Sequence, residues 1–209
     1  MKLPAIMIGG GGHAKVLIEA LRLRNIPVLG ILDLKAIDQT SSLTEIPYLG
    51  ADEAVLKYKS NEVYVVNGIG SVGLPEKHRE IFERFKKWGY QFLSVIHPAA
   101  HIAADVELGE GVQIMAGAVI QPGSVIRHNA IINTNTSVDH DCAIGAHVHL
   151  APGVTLCGGV NIGDGTHVGT GATVVQNIRV AKNSFIRAGS VIINDMVQEP
   201  QIAGLGRGK

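Results

Sequence analysis

Between Ile102 and Ile192 every sixth residue is a branched aliphatic, unbroken over sixteen positions. The series runs Ile102, Leu108, Ile114, Ile120, Ile126, Ile132, Val138, Ile144, Leu150, Leu156, Ile162, Val168, Val174, Val180, Ile186 and Ile192. A period of six matches neither the 3.6 residues of a helical turn nor strand alternation, and repetition at a fixed interval marks a solenoid. With each aliphatic as position a, position e is small or medium, as in Val106, Val112, Ala118, Ser124, Ala130, Thr136 and Cys142. Position b is often glycine: Gly109, Gly145, Gly163 and Gly169.

This hexapeptide pattern resembles the left-handed parallel β-helix of bacterial acyltransferases. Three hexapeptides then close one triangular coil, about five coils in all. Residues 18 apart lie above one another. Positions a and e face inward, which leaves b, c, d and f for chemistry. With 26 glycines and only 4% aromatics, the composition suits a narrow prism that turns often.

The first 97 residues follow another grammar. Ala5–Ile8 reads as a buried strand, followed by Gly9-Gly10-Gly11-Gly12-His13 and a helix with Val16, Leu17, Ala20, Leu21 and Leu23 on one face. Further strands are expected over 27–33, 62–66 and 92–96, with a helix over 75–88 that turns Ile81, Phe82 and Phe85 inward. Alternating strands and helices predict a small Rossmann-like parallel sheet over residues 1–97. His97-Pro98 ends it, and the β-helix with its tail occupies 98–209.

Lys+Arg and Asp+Glu both total 18, so there is no basic field for nucleic acid or membrane. No apolar run reaches the ~20 residues that span a bilayer, and the start has no signal-peptide pattern. Two cysteines make no disulfide framework, which points to the cytoplasm.

The richest polar run is Asn133 to Asp141. His140 falls at c and Asp141 at d, outside the prism near a corner, where a carboxylate beside an imidazole makes a general-base pair. The competing reading is a solvated Asp-His-Asp run, with Asp139 as a rival partner. Gly158 lies one coil above His140, leaving room for a ligand. His149, beneath His167, is half a coil round from His140, so the two can meet only across an interface between chains. His147 and His149 form an H-x-H pair, but no carboxylate or cysteine nearby completes a metal set. Cys142 reads as core, and Cys157 as wall. Faces carrying Met115, Ile131 and Phe185 are candidates for burial against sister chains.

Gly9 to Lys15 joins a strand to a helix, where backbone amides hold phosphate, although a plain tight turn reads equally well. It matches neither a P-loop nor G-x-G-x-x-G. Asp33 ends the second strand, where Rossmann-like folds set an acid against a ribose or base. Asn67-Gly68-Ile69-Gly70-Ser71 would line the same crevice.

Taken in order, G-G-H-A-K, H-P-A-A and V-D-H-D-C-A-I-G resemble the nucleotide-sugar N-acetyltransferases of bacillosamine and perosamine biosynthesis. These sit within the wider sialic acid O-acetyltransferase-like family. The resemblance implies acetyl-CoA as co-substrate and a nucleotide-linked 4-amino-4,6-dideoxy sugar as acceptor. It also implies a homotrimer with sites between subunits, and the incomplete H-x-H set leaves no metal expected. His140 becomes the base and Asp141 its partner. His149, Gly158, Gly169 and Ala188 fall to the acetyl-CoA. Gly12, His13, Ala14, Lys15, Gly68 and Gly70 fall to the sugar nucleotide, as do Asp33 and Asn133. Leu34 stands where several relatives have a second acid, and Gly204-Leu205-Gly206-Arg207 replaces their G-x-P-A-K tail. Two alternatives stay open: O-acetylation of sialic acid or a related sugar, and a non-catalytic nucleotide-binding scaffold.

Overall fold

The structure is a computed structural model that describes residues 3–36, 42–198 and 202–203. The divergent tail at 204–207 lies outside the described residues. Four parallel strands make the first sheet: β1 (Ala5–Ile8), β2 (Val28–Leu32), β3 (Tyr48–Gly50) and β4 (Tyr64–Asn67), in the order β3-β2-β1-β4. β1, buried along its length, sits inside the sheet between β2 and β4.

Helix α1 (Gly12–Leu23) turns Ala14, Leu17, Ile18 and Leu21 inward, an i, i+3, i+4, i+7 stripe. Val16 and Leu23, expected on that face, are instead exposed. α2 (Glu76–Lys87) buries Ile81, Phe82 and Phe85 as its pattern predicts, and His78 with them. The segment expected as one strand over 92–96 is divided. Phe92 bridges to Val65 in the first sheet, whereas Val95–Ile96 pairs with Gln113–Ile114 in the solenoid.

From Val95 onward, two-residue strands at positions f and a stack into three parallel faces of seven, six and five strands. Strand amides donate to carbonyls of the next coil, as from Val119 to Thr136 and from Val125 to Cys142. Positions a and e fill the prism. Buried hydroxyls there bond to b-position carbonyls, Ser124 to Asp139 and Thr136 to Ala151, which removes the cost of an unpaired polar group.

The corners are made at position d. All fourteen d residues from Gly111 to Gly189 have positive φ, between 54° and 73°. They are glycine, asparagine, Asp141 and His147, the residues that bear left-handed geometry best. The b-position glycines have a different cause. A Cβ on Gly109, Gly145, Gly163 or Gly169 would strike backbone of the neighbouring coil.

The first domain covers one prism face. Its outward f residues Gln113, Ile131, His149 and His167 are buried, while Val191 and Arg179 on the other faces are exposed. Met115 and Ile131, expected against sister chains, are fully buried within this chain; Met115 packs with the core beneath α1. Phe185 is half-buried and stacks on His167 at 5.3 Å.

This seam is rich in neutral imidazole. Burial lowers His78 and His147 to about 4, and lowers His149 well below its ordinary 6.5. Below pH 6.5 the unfolded chain therefore takes up protons that the folded chain refuses, so stability rises with pH across this window. The unfolding temperature should be highest above pH 7 and fall progressively from about pH 6.5 toward 4. A flat profile there would contradict a neutral seam. At the corners, Gly153 has open space where a Cβ would stand but φ of +70°. Gly153→Ala should cost about 1–2 kcal/mol in denaturant unfolding, and Gly153→Asn less.

Candidate active site

His140 and Asp141 sit at the corner between the strands Ser137–Val138 and Ala143–Ile144. Asp141 occupies the left-handed d position, φ 59°, which swings its carboxylate back toward the preceding ring. Asp141 Oδ2 lies 2.7 Å from His140 Nδ1. Asp139 is not the ring's hydrogen-bond partner, since its Oδ1 accepts the His140 backbone N–H at 2.8 Å. Asp141 Oδ1 stands over Gly123, where a Cβ would collide with it. The hydrogen bond that His140 donates to Asp141, aided by the charge of Asp139, holds the His140 pKa above its ordinary 6.5.

One coil above, a Cβ on Gly158 would lie 2.6 Å from both Cε1 and Nε2 of His140. The missing side chain thus leaves His140 Nε2 uncovered. An open cavity of about 530 Å³ runs past His140, Cys157, Gly158, Gln176 and Asn177. Cys142 points inward and donates to the Cys157 carbonyl, and burial pushes its thiol up to about 11, so it is core and no nucleophile.

A second cavity, about 490 Å³, opens between the domains. Gly11, Gly12, His13, Gly68, Gly70 and Ser71 line it from the first domain, and Asn133 and His149 from the prism. It therefore unites most of the residues expected to hold the sugar nucleotide. Ala14 and Lys15 are not among them: Ala14 is buried against the sheet, and Lys15 is exposed outside the cavity. Asp33 lines a separate recess of about 110 Å³ with Asp52, Lys77 and Arg84, and its Oδ2 accepts the Gly10 amide at 2.8 Å. Gly169 is buried beneath the Ala188 amide, and Ala188 is exposed. Both lie at the prism corner that carries Asn133, one corner away from His140 and Gly158.

Sequence reasoning missed the residues that weld the domains. Gln113 Nε2 donates to the Asn67 carbonyl, which leaves Oε1 to accept from His13 Nε2 at 2.6 Å. His13 thus anchors its glycine turn to the prism. Asn129 bonds to His147 Nδ1, and Phe82 stacks on His128 while meeting the edge of His147. The signal was present in the f positions of one face. Gln113, Ile131, His149, His167 and Phe185 recur every 18 residues, and each is larger than Val119, Ser137, Thr155, Thr173 and Val191 at position f of a neighbouring face. Among the described residues, no group of three or more His, Cys, Asp or Glu side chains is placed to hold a metal ion.

A prism corner with a carboxylate-held histidine, a bare glycine above it and a glycine-lined cavity under a Rossmann-like domain defines a hexapeptide-repeat acetyltransferase. Comparison with known proteins agrees. The family model of the PglD N-terminal domain matches residues 5–85. PerB from Caulobacter crescentus, solved in complex with CoA and GDP-perosamine, is 33% identical with a TM-score of 0.85, over 97% of each chain. The acetyltransferase domain of PglB from Neisseria gonorrhoeae, solved with acetyl coenzyme A, is 31% identical with a TM-score of 0.87, over 98% of this chain and 97% of its own. WeeI from Acinetobacter baumannii, at 20% identity and TM-score 0.79, shares the fold. No curated protein sequence matches. The chain belongs to the sugar N-acetyltransferase family that includes perosamine N-acetyltransferase and the PglB acetyltransferase domain.

Two outcomes follow for the corner. Gly158→Ala should displace the His140 ring and abolish most turnover, with unfolding temperature near that of the parent. The acid limb of the rate profile should lie above pH 6.5, and Asp141→Asn should move it lower and reduce the plateau. An unmoved limb would remove Asp141 from the role of partner.

Proposed function

We propose that the chain transfers acetyl from acetyl-CoA to the amine of a nucleotide-linked 4-amino-4,6-dideoxy sugar, for a bacterial surface glycan. The observation that carries this reading is the His140–Asp141 pair beneath the open Gly158 position. PerB, a relative over nearly its whole length, was solved with CoA and GDP-perosamine together.

The amine nitrogen attacks the thioester carbonyl carbon. His140 Nε2 takes the amine proton while Asp141 fixes Nδ1 as the donor and stabilises the imidazolium that forms. The C–N bond forms as the C–S bond breaks, and the proton leaves on the CoA sulfur. No acyl-enzyme is required, in keeping with the buried, inert Cys142.

The first domain, residues 1–97, holds the sugar nucleotide in the inter-domain cavity, its phosphates against the amides of the Gly11-Gly12 turn. The β-helix, residues 98–209, supplies the base. His140 and the Asn133 cavity lie at different corners of one prism. The acceptor held by one subunit therefore meets His140 of a neighbour in a homotrimer, with CoA lying between prisms past Gly158 of one and Gly169 and Ala188 of the other. We place the enzyme in the cytoplasm; no helix among the described residues is long and apolar enough to cross a membrane.

Purified protein, given acetyl-CoA and a panel of UDP-, GDP- and dTDP-linked 4-amino sugars, should release free thiol with one of them. His140→Ala should lower that rate by about 10²–10⁴ without unfolding the chain. Release with free sialic acid alone would move the reaction to a hydroxyl, and silence with both would contradict acetyl transfer to sugars.

A further inference from the structure

The segment Gly68 to Ser71, which follows β4, is held from behind by two buried side chains. Asn67, at the end of β4, donates from Nδ2 to the His78 carbonyl at 2.8 Å and accepts the Ile69 N–H on Oδ1 at 3.3 Å. His78 on α2 is 1% exposed, and its Nδ1 lies 2.6 Å from the Ile69 carbonyl oxygen. Its Nε2 lies 3.2 Å from a second carbonyl, that of Asn129. A carbonyl only accepts, and burial keeps the ring neutral with a single N–H. The shorter contact takes that proton, because two lone pairs cannot meet at 2.6 Å. His78 therefore donates from Nδ1 to Ile69.

A trans peptide sets its C=O and N–H on opposite sides. With the Ile69 oxygen drawn toward α2, the Gly70 N–H is turned away from it, and no acceptor among the described residues takes that N–H. Gly70 lines the inter-domain cavity against the first glycine turn, where a Cβ on it would stand 3.1 Å from His13 Cβ. We propose that His78 is a positioning residue that locks the Ile69–Gly70 peptide with its N–H toward the cavity, where it donates to a phosphate oxygen of the sugar nucleotide beside the Gly11-Gly12 turn. This rests on the sugar-nucleotide reading of the cavity. The lock is needed because the residue after the peptide is glycine. Turning a peptide over puts the next residue at positive φ, which glycine accepts readily and other residues do not. Gly70 does not have that φ here. The turned form would aim the Ile69 carbonyl at the phosphates and repel them. A histidine nine residues along the chain, reaching over from α2, keeps it from forming.

The first readouts need no ligand. In parent protein labelled with 15N-histidine, ring shifts should show His78 with Nδ1 protonated and Nε2 bare; the reverse would overturn the proposal. A crystal structure of the His78→Leu protein should show the Ile69–Gly70 peptide turned over, its carbonyl facing the cavity. His78→Asn, whose side-chain amide can donate where Nδ1 did, should keep the parent orientation. Calorimetry with UDP, GDP and dTDP then reads the consequence. The nucleotide that the parent binds should bind His78→Leu about tenfold to a hundredfold more weakly, the scale of one hydrogen bond to a charged group, and His78→Asn should recover most of the loss. In turnover, His78→Leu should raise KM for the acceptor on that scale and leave KM for acetyl-CoA within about twofold. An unturned peptide in His78→Leu would overturn the proposal, as would a turned one with unaltered nucleotide affinity. If the parent binds none of the three nucleotides, the sugar-nucleotide reading fails, while the ring shifts and the peptide orientation still decide what His78 does.

Discussion

The left-handed corner at every sixth residue is the constraint on which this molecule depends. Without it the two-residue strands cannot turn through a prism edge, and the aliphatics at position a cannot converge. The energetic preference is steep enough to exclude most side chains, since a left-handed residue with a Cβ costs about 1–2 kcal/mol. Evolution has filled the positions with glycine, asparagine, one aspartate and one histidine. Asp141 is the informative exception. The same backbone geometry that closes the coil also bends its carboxylate onto His140, so one residue both turns the corner and holds the ring.

A second consequence concerns where water is excluded. The prism alone is too thin to bury a polar site. Docking the first domain on one face makes the inter-domain cavity and turns outward positions into interior ones. Imidazole suits such a seam because it is half apolar, stacks on Phe82 and Phe185, and gives one donor and one acceptor when neutral. The His140 corner stays open to solvent instead, and there the ring gains basicity from carboxylates rather than losing it to burial.

Much of this was legible in the residues. The aliphatic repeat gave the solenoid, the coil spacing gave the juxtaposition of His140 with Gly158, and alternating elements gave the parallel sheet. What escaped detection was relational. Periodicity says that position f faces outward, but not that a second domain covers one face; hence Ile131 and Met115 read as subunit contacts. β3 and the 3-10 turn Asp52–Lys57 are too short and irregular to carry a period. The link between Ser71 and His149 spans 78 residues, and no local pattern encodes it. The division of 92–96 between two sheets was hidden because both halves are simply apolar.

The central claim is that each complete site draws on two subunits, with His140 from one and the Asn133 cavity from another. Mixed oligomers test it directly. His140→Ala and Asn133→Ala chains are each expected to be weak alone. Co-assembled in one oligomer, they should recover activity well above either parent, because some sites then unite an intact His140 with an intact Asn133. Mixed oligomers no more active than the parents would mean that one chain builds its own site, and the shared-site account would be wrong.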